Sequence, residues 1–220
     1  MRRKLLRAAL AFALVCRAGA AVALDPGTGT SISNAAVNVT TLTLTDKFYL
    51  PAAGCNNTTA TALLDLPTAN APAAACVTGA NIQRGTLDFD ATTDESAQSA
   101  FVLPTDFTGA IDVEYWWIAA ATTGAVGWCT QLVCIADSEP NNPAFPAQGA
   151  GNCVSNTVDG ITTDMNRTTD TSITATGCAA DEMVQIRISR DADGGAVTDS
   201  MTGDARLIGV MLTIRRAQAQ

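Results

Sequence analysis

The stretch Ile111-Asp112-Val113-Glu114-Tyr115-Trp116-Trp117-Ile118 decides the fold class. Successive side chains of an extended strand point to opposite faces, so Val113, Tyr115 and Trp117 share one side. Asp112, Glu114 and Trp116 take the other. A helix would scatter both sets around its circumference. The stretch therefore reads as a strand with one apolar face. Thr122-Thr123-Gly124 follows as a turn, and Val126 to Ala136 reads as the hairpin partner.

The same period of two recurs along the chain. It appears at Leu87 and Phe89, then at Phe101 and Leu103 before Pro104. Val184, Ile186 and Ile188 repeat it, as do Ile208, Val210, Leu212 and Ile214. Thr171 to Thr176 is a Thr-rich strand, and Thr fits a pleated surface better than a helix. Upstream, Val37 and Val39 are odd-numbered while Leu42, Leu44, Phe48 and Leu50 are even. That slip of one predicts a bulge near Thr40 or Thr41. About eight short strands and no sustained helical period predict an all-β fold: an antiparallel β-sandwich, with a jelly roll as the expected form. Hydrophobic residues make up 47% of the chain, enough for a real core, but aromatics only 5%, so that core is mostly aliphatic.

The N-terminus has the layout of a signal peptide. Arg2, Arg3, Lys4 and Arg7 precede the apolar run Ala8 to Val15, which is too short to span a bilayer. Ala21-Val22-Ala23 supplies small residues for cleavage. The expected organisation is a leader over 1–23, a flexible lead-in over 24–36, one domain over 37–216 with a stapled loop at 51–81, and a tail over 217–220. Five of the 13 basic residues fall in the leader and none of the 21 acidic ones. The mature chain would then hold 8 basic against 21 acidic residues, a net charge of −13. That sign excludes nucleic acid and anionic membrane surfaces as expected partners, and no membrane insertion is expected once the leader is removed.

Loss of the leader also removes Cys16 and leaves Cys55, Cys76, Cys129, Cys134, Cys153 and Cys178. An even number in an exported chain implies disulfides, and 15 connectivities are open. The chain has no histidine and no C-x-x-C, which disfavours a metal site. Cys129 and Cys134 lie five positions apart on one strand, roughly 16 Å, and cannot bond to each other. Cys55 and Cys76 bracket a polar loop and form a natural pair. Cys134 and Cys153 flank the Pro140-to-Pro146 loop, which leaves Cys129 for Cys178. The oxidising setting implied is extracellular or periplasmic.

Several side chains merit weighing for chemistry. Without histidine there is no Ser-His-Asp arrangement. Asp88, Asp90, Asp94, Glu95, Asp112 and Glu114 could include a glycosidase pair, but such clustering arises by chance among 21 acidic residues. No enzyme is expected. Tyr115, Trp116 and Trp128 are the ligand-binding candidates, since aromatic faces stack on sugars. In the packing alternative, Trp117 and Trp128 lie inside and Trp116 is shielded by a second sheet, a loop or a neighbouring subunit. Asp191, Asp193 and Asp199 could hold Ca²⁺ through carboxylate oxygens, although Asp-Gly and Gly-Gly also simply make turns. No other cofactor is expected. Asn38, Asn57 and Asn166 head glycosylation sequons.

The run Leu87-Asp88-Phe89-Asp90-Ala91-Thr92-Thr93-Asp94-Glu95-Ser96, the later Tyr115-Trp116-Trp117, and the closing Asp204-Ala205-Arg206-Leu207-Ile208-Gly209-Val210 come in a distinctive order. This order resembles a family of uncharacterised β-sandwich proteins of tailed-phage and environmental bacterial genomes, which are taken for virion or surface-appendage components. The resemblance spans about residues 86 to 214. It implies a structural or adhesive role and supplies no catalytic residues. The leader and the six cysteines depart from the family pattern, as an exported version would. The expectation is thus a secreted, non-catalytic structural or adhesive module whose partner is itself, as a homo-oligomer, or a surface glycan or protein. The alternative is a carbohydrate-binding module using the aromatic strand around Trp116, and a remote one is a glycan-cleaving enzyme.

Overall fold

The computed structural model describes residues 41–219, apart from 80, 150, 151, 174 and 176. The expected leader, the lead-in and the Val37/Val39 half of the phase slip lie outside these residues. The described residues form twelve strands. They are β1 (Thr41–Pro51), β2 (Ala53–Asn56), β3 (Thr59–Ala62), β4 (Ala73–Thr78), β5 (Gln83–Phe89), β6 (Ser96–Val102), β7 (Phe107–Ala119), β8 (Ala125–Ile135), β9 (Cys153–Thr157), β10 (Met165–Ile173), β11 (Met183–Arg190) and β12 (Ala205–Ala219).

Every strand pairing is antiparallel, in one sheet of eight strands and one of four. The larger sheet runs β10-β7-β12-β5, with β1 beside β12, β4 beside β5, and β2 and β3 continuing from β5. The smaller runs β6-β11-β8-β9. The last eight strands thus cross between the two layers at every step except β8 to β9, which pair within the smaller sheet, in the jelly-roll order that the turn-punctuated alternation led us to expect. Four strands were not anticipated. Three of them, β2, β3 and β4, turn the supposed irregular loop 51–81 into an extension of the larger sheet. Gly85 makes that junction feasible: it pairs with Ala53, and a Cβ there would collide with the Ala53 carbonyl. The chain's last described residues are strand rather than tail, because β12 runs on to Ala219.

The expected hairpin between residues 111–118 and 126–136 does not form; β7 and β8 lie in opposite sheets. Alternation reports that each strand buries one face, and it cannot say whether two strands sit side by side or across the core. Here they face each other. Tyr115 stacks on Trp128 with ring centroids 5.4 Å apart, while Phe89 and Trp117 meet Trp128 edge-on at 5.3 and 6.1 Å. All four are fully buried, with Val113, Ile186, Leu207 and Leu212 around them. Each such aromatic pair adds about 0.5–1.5 kcal/mol beyond the area it buries.

One buried charge anchors a connection. Arg190 is fully buried and forks onto both carboxylate oxygens of Asp199 at 2.8 Å. Its remaining donors reach the Phe89, Met201 and Gly203 carbonyls. This network fixes the 191–204 link between β11 and β12 against the core.

The disulfides differ in part from the expected set. Cys55 joins Cys76 as anticipated, with Cα atoms 5.6 Å apart. The other two pairs are exchanged: Cys129 bonds Cys153 and Cys134 bonds Cys178. The reason is register. β9 returns alongside the first half of β8, which puts Cys153 directly across from Cys129 with Cα atoms 4.0 Å apart. Nearness in sequence to the proline loop had favoured Cys134, but that residue lies beyond the end of the pairing.

Candidate functional site

Of the three ligand-binding candidates, the structure puts two inside the core. Tyr115 and Trp128 are fully buried, so neither can meet a ligand. The Tyr115 hydroxyl is hydrogen-bonded with Thr130 Oγ1 at 2.6 Å, and burial raises its pKa. Trp117 donates to Thr168 Oγ1. Trp116 does face outward, half-buried, on the larger sheet. Its Nε1 donates to Glu114 at 2.9 Å, and the Arg167 guanidinium lies 5.9 Å from its ring. Arg167 also pairs with Glu114 at 3.8 Å. Trp116 is therefore engaged in part by its own neighbours.

The outer face of the smaller sheet is built differently. Val184, Ile186 and Ile188 of β11 point into the core, so Arg187 and Ser189 point out. The register places Arg187 between Gln98 of β6 and Gln131 of β8. Three long polar side chains thus form one row across three strands. Two loops rise beside the row. On the β6 side, Asp65 and Gln98 exchange backbone hydrogen bonds at 2.8 Å, and Ser96 N–H donates to the Asn70 carbonyl, which brings Pro67 and Asn70 to the edge. On the β8 side the 136–152 connection folds back. Gln131 Nε2 donates to the Pro146 carbonyl at 3.1 Å, and Gln148 Nε2 donates to Ser189 Oγ at 2.7 Å. Between these walls lies a groove of about 410 Å³.

Arg187 is held in this groove with little freedom. Its Nε donates to Gln131 Oε1 at 2.7 Å, and its guanidinium lies 4.8 Å from the Phe145 ring. Burial lowers its pKa. No acid lies within ion-pair distance of it among the described residues. Asp94 and Glu95 line the groove beyond Ser96. Burial raises both pKa values; the Asp193 and Asp191 charges add to it at Asp94, and Asp90 does so at Glu95. Both already accept backbone bonds, Glu95 from Asp90 N–H at 2.7 Å and Asp94 from Asp193 N–H at 3.3 Å.

Two disulfides brace the walls. Cys55–Cys76 ties the excursion that carries Pro67 and Asn70. Cys129–Cys153 closes the base of the loop that carries Phe145 and Gln148.

The expected acidic trio is only partly assembled. Asp191 and Asp193 come together with Asp94, with carboxylate oxygens within 4.8 Å of one another. Asp199 is instead committed to Arg190 and to Gly127 N–H at 3.0 Å. Asp191 accepts from Ala196 and Val197 N–H, and Asp193 from Gly195 N–H. Closing this turn accounts for the cluster. Of the sequons, Asn57 sits exposed at the tip of the β2–β3 turn, Asn166 is buried, and Asn38 lies outside the described residues.

Sequence reading assigned none of the groove's floor residues to a site, because Gln98, Gln131 and Arg187 come from three distant segments with no shared local pattern. The lone aromatic Phe145 between Pro143 and Pro146 was the one available signal.

No family model matches the chain, and no curated protein matches it. Among solved structures it is similar to Arthrobacter globiformis T6 isomalto-dextranase complexed with panose, at 17% identity over 76% of this chain and a TM-score of 0.40. The chain spans only 23% of that protein's length. It is also similar to TmCBM61 in complex with β-1,4-galactotriose, at 12% identity over 67% of this chain and 83% of that one, with a TM-score of 0.33. A third similar structure is TmCBM27, a carbohydrate-binding module studied for specific mannan recognition, at 9% identity, 79% and 98% coverage and a TM-score of 0.31. Likenesses this low assign neither ligand nor activity to this chain.

Proposed function

We propose that this domain is a secreted, non-catalytic module that binds glycans in the groove across its smaller sheet. One observation carries the reading: the row Gln98–Arg187–Gln131 lies between two braced loops, with Phe145 beside it. The Gln98 amide and the outer Arg187 guanidinium offer several donors and acceptors at once, with the buried Gln131 holding Arg187 in place, which suits a ligand covered in hydroxyl groups. The Phe145 ring lies against the Arg187 guanidinium and helps to hold it in place. The donors are positioned before a ligand arrives, so little side-chain entropy remains to be lost on binding.

Catalysis has little support in this groove. Its two carboxylates, Asp94 and Glu95, are engaged in holding backbone N–H groups. An exported setting accords with the three disulfides. An adhesive role at a cell or particle surface is compatible, with the glycan as the contact.

Affinity electrophoresis through gels cast with soluble polysaccharides tests the reading. The intact protein should be retarded by at least one polysaccharide, and Phe145→Ala or Gln98→Ala should abolish the retardation. Retardation lost in Trp116→Ala but kept in both groove variants would move the site to the larger sheet and overturn the proposal.

A further inference from the structure

Resting on the glycan-binding reading, we infer that Arg187 selects sugars bearing a carboxylate, so that the groove's ligands are uronate-containing or similarly acidic glycans.

The inference starts from how the arginines of this chain are used. Arg167 meets Glu114, Arg190 meets Asp199, Arg206 meets Asp88, Arg215 meets Asp112, and Arg216 meets both Asp46 and Asp106. Acids outnumber bases 21 to 13 in the sequence, so a strand arginine finds an acid easily. Arg187 does not, although it is half-buried and so pays for lost hydration. What it has instead is a neutral amide on Nε and a ring beside it. That leaves the outer fork of the guanidinium, with its parallel N–H donors, uncommitted to any acid. A planar fork of this kind matches a carboxylate in a bidentate pair, and no neutral sugar hydroxyl reproduces that match.

The tether sets direction as well. Gln131 is nearly fully buried and is itself fixed by the Pro146 carbonyl, so it holds Nε on one side. The fork then faces away from Gln131, on a row shared with Gln98. Further along, past Ser96, stand Asp94 and Glu95. Those carboxylates disfavour a second anionic sugar at that end, so a chain in which every residue is charged fits less well than one in which charged and neutral sugars alternate. Arg84 also lacks an acid partner among the described residues, but it has neither the amide tether nor the stacked ring.

The decisive experiment is a glycan array probed with the intact protein, followed by comparison of each hit with its carboxyl-reduced form. Reduction converts each uronate to the neutral sugar and leaves linkage and length unchanged. Expected are hits concentrated among uronate-bearing glycans, with binding weaker by about tenfold or more after reduction, as loss of a charge-assisted bidentate pair implies. Affinity should also fall as salt rises from low to physiological concentration. Arg187→Gln, checked for an unchanged melting temperature, should erase the difference between native and reduced glycans. Should that variant misfold, the native-against-reduced comparison on the intact protein still decides. Hits confined to neutral glycans, or equal affinity for native and reduced forms, would overturn the role of Arg187 and leave the glycan-binding reading standing. An array with no hits would overturn that reading, and this inference with it.

Discussion

The two sheets use their outward faces in opposite ways. On the larger sheet, three pairs of charged residues from neighbouring strands are matched, Asp112 with Arg215, Glu114 with Arg167 and Asp88 with Arg206, although Arg84 has no acid partner among the described residues. Even its outward tryptophan is taken up by Glu114 and Arg167. On the smaller sheet the long polar side chains are amides and one arginine with no acid beside it, and two loops stand over them. A surface whose charges cancel internally has little left to offer a partner. A surface with a positioned arginine whose outer donors meet no acid is ready for one. On the proposed reading, unmatched polar residues are a better guide to the site than the outward tryptophan.

The largest effect should come from breaking a wall. Replacing Cys129 and Cys153 together by serine should cost about 2–5 kcal/mol, read by chemical denaturation, because the bond closes a long connection. It should also weaken glycan retention, since Phe145 and Gln148 ride on that connection. Loss of the Cys134–Cys178 bond should lower stability with less effect on retention, and equal effects on retention from the two would blur the contrast between the faces.

Comparable in stability cost, but without the added effect on retention, is Arg190→Met, which strands a buried Asp199 carboxylate. A cost of about 3–5 kcal/mol is the usual scale for an orphaned buried charge, though the 191–204 link can partly relax to admit water. Urea denaturation checks it. A loss below about 1 kcal/mol would mean that the network contributes little to holding that link.

Smaller again is the larger sheet's own pairing. Arg215→Gln should cost at most about 1 kcal/mol, because both partners are partly solvated, and should leave glycan binding unchanged. A matching loss of retention would contradict the division of labour between the sheets.

The smallest effect concerns Asp170, whose Oδ2 is buried without a hydrogen-bond partner. Burial raises its pKa, and the neighbouring Asp112 charge raises it further. A raised carboxyl pKa means that the folded protein holds its proton more tightly than the unfolded chain. Its unfavourable charge is therefore felt at neutral pH and relieved as pH falls through the raised value. Asp170→Asn should then increase the melting temperature slightly near about pH 7 and lose that advantage near about pH 3, where both states are protonated. Thermal scans at the two pH values decide it, and an advantage that persists in acid would point to packing rather than charge.

How much of this was legible in the sequence follows from what each feature depends on. Val113, Tyr115 and Trp117 announced their burial because period two is a local property of one strand, and so did Val184, Ile186 and Ile188. The layering of β7 against β8 was not local. Either strand could have found its neighbour within one sheet, and the stack of Tyr115 on Trp128 is visible only once both are placed. The cysteine pairing failed for the same reason, since Cys153 was assigned by nearness in sequence and its true partner is set by register. The groove was the least legible part. Gln98, Gln131 and Arg187 look like ordinary outward polar residues, and only the strand order β6-β11-β8 lines them up. Asp199 was misread because its partner, Arg190, lies nine positions away and the side chains between them turn elsewhere.

Amide-resolved NMR with the strongest glycan found on the array tests the central claim most directly. Addition of that glycan should shift the signals of Ser96 to Gln98, Gln131, Phe145 to Gln148, and Arg187 to Ser189, and leave those of Asp112 to Trp116 and Arg167 in place. Shifts centred on Trp116 and Arg167, with the smaller sheet silent, would contradict it.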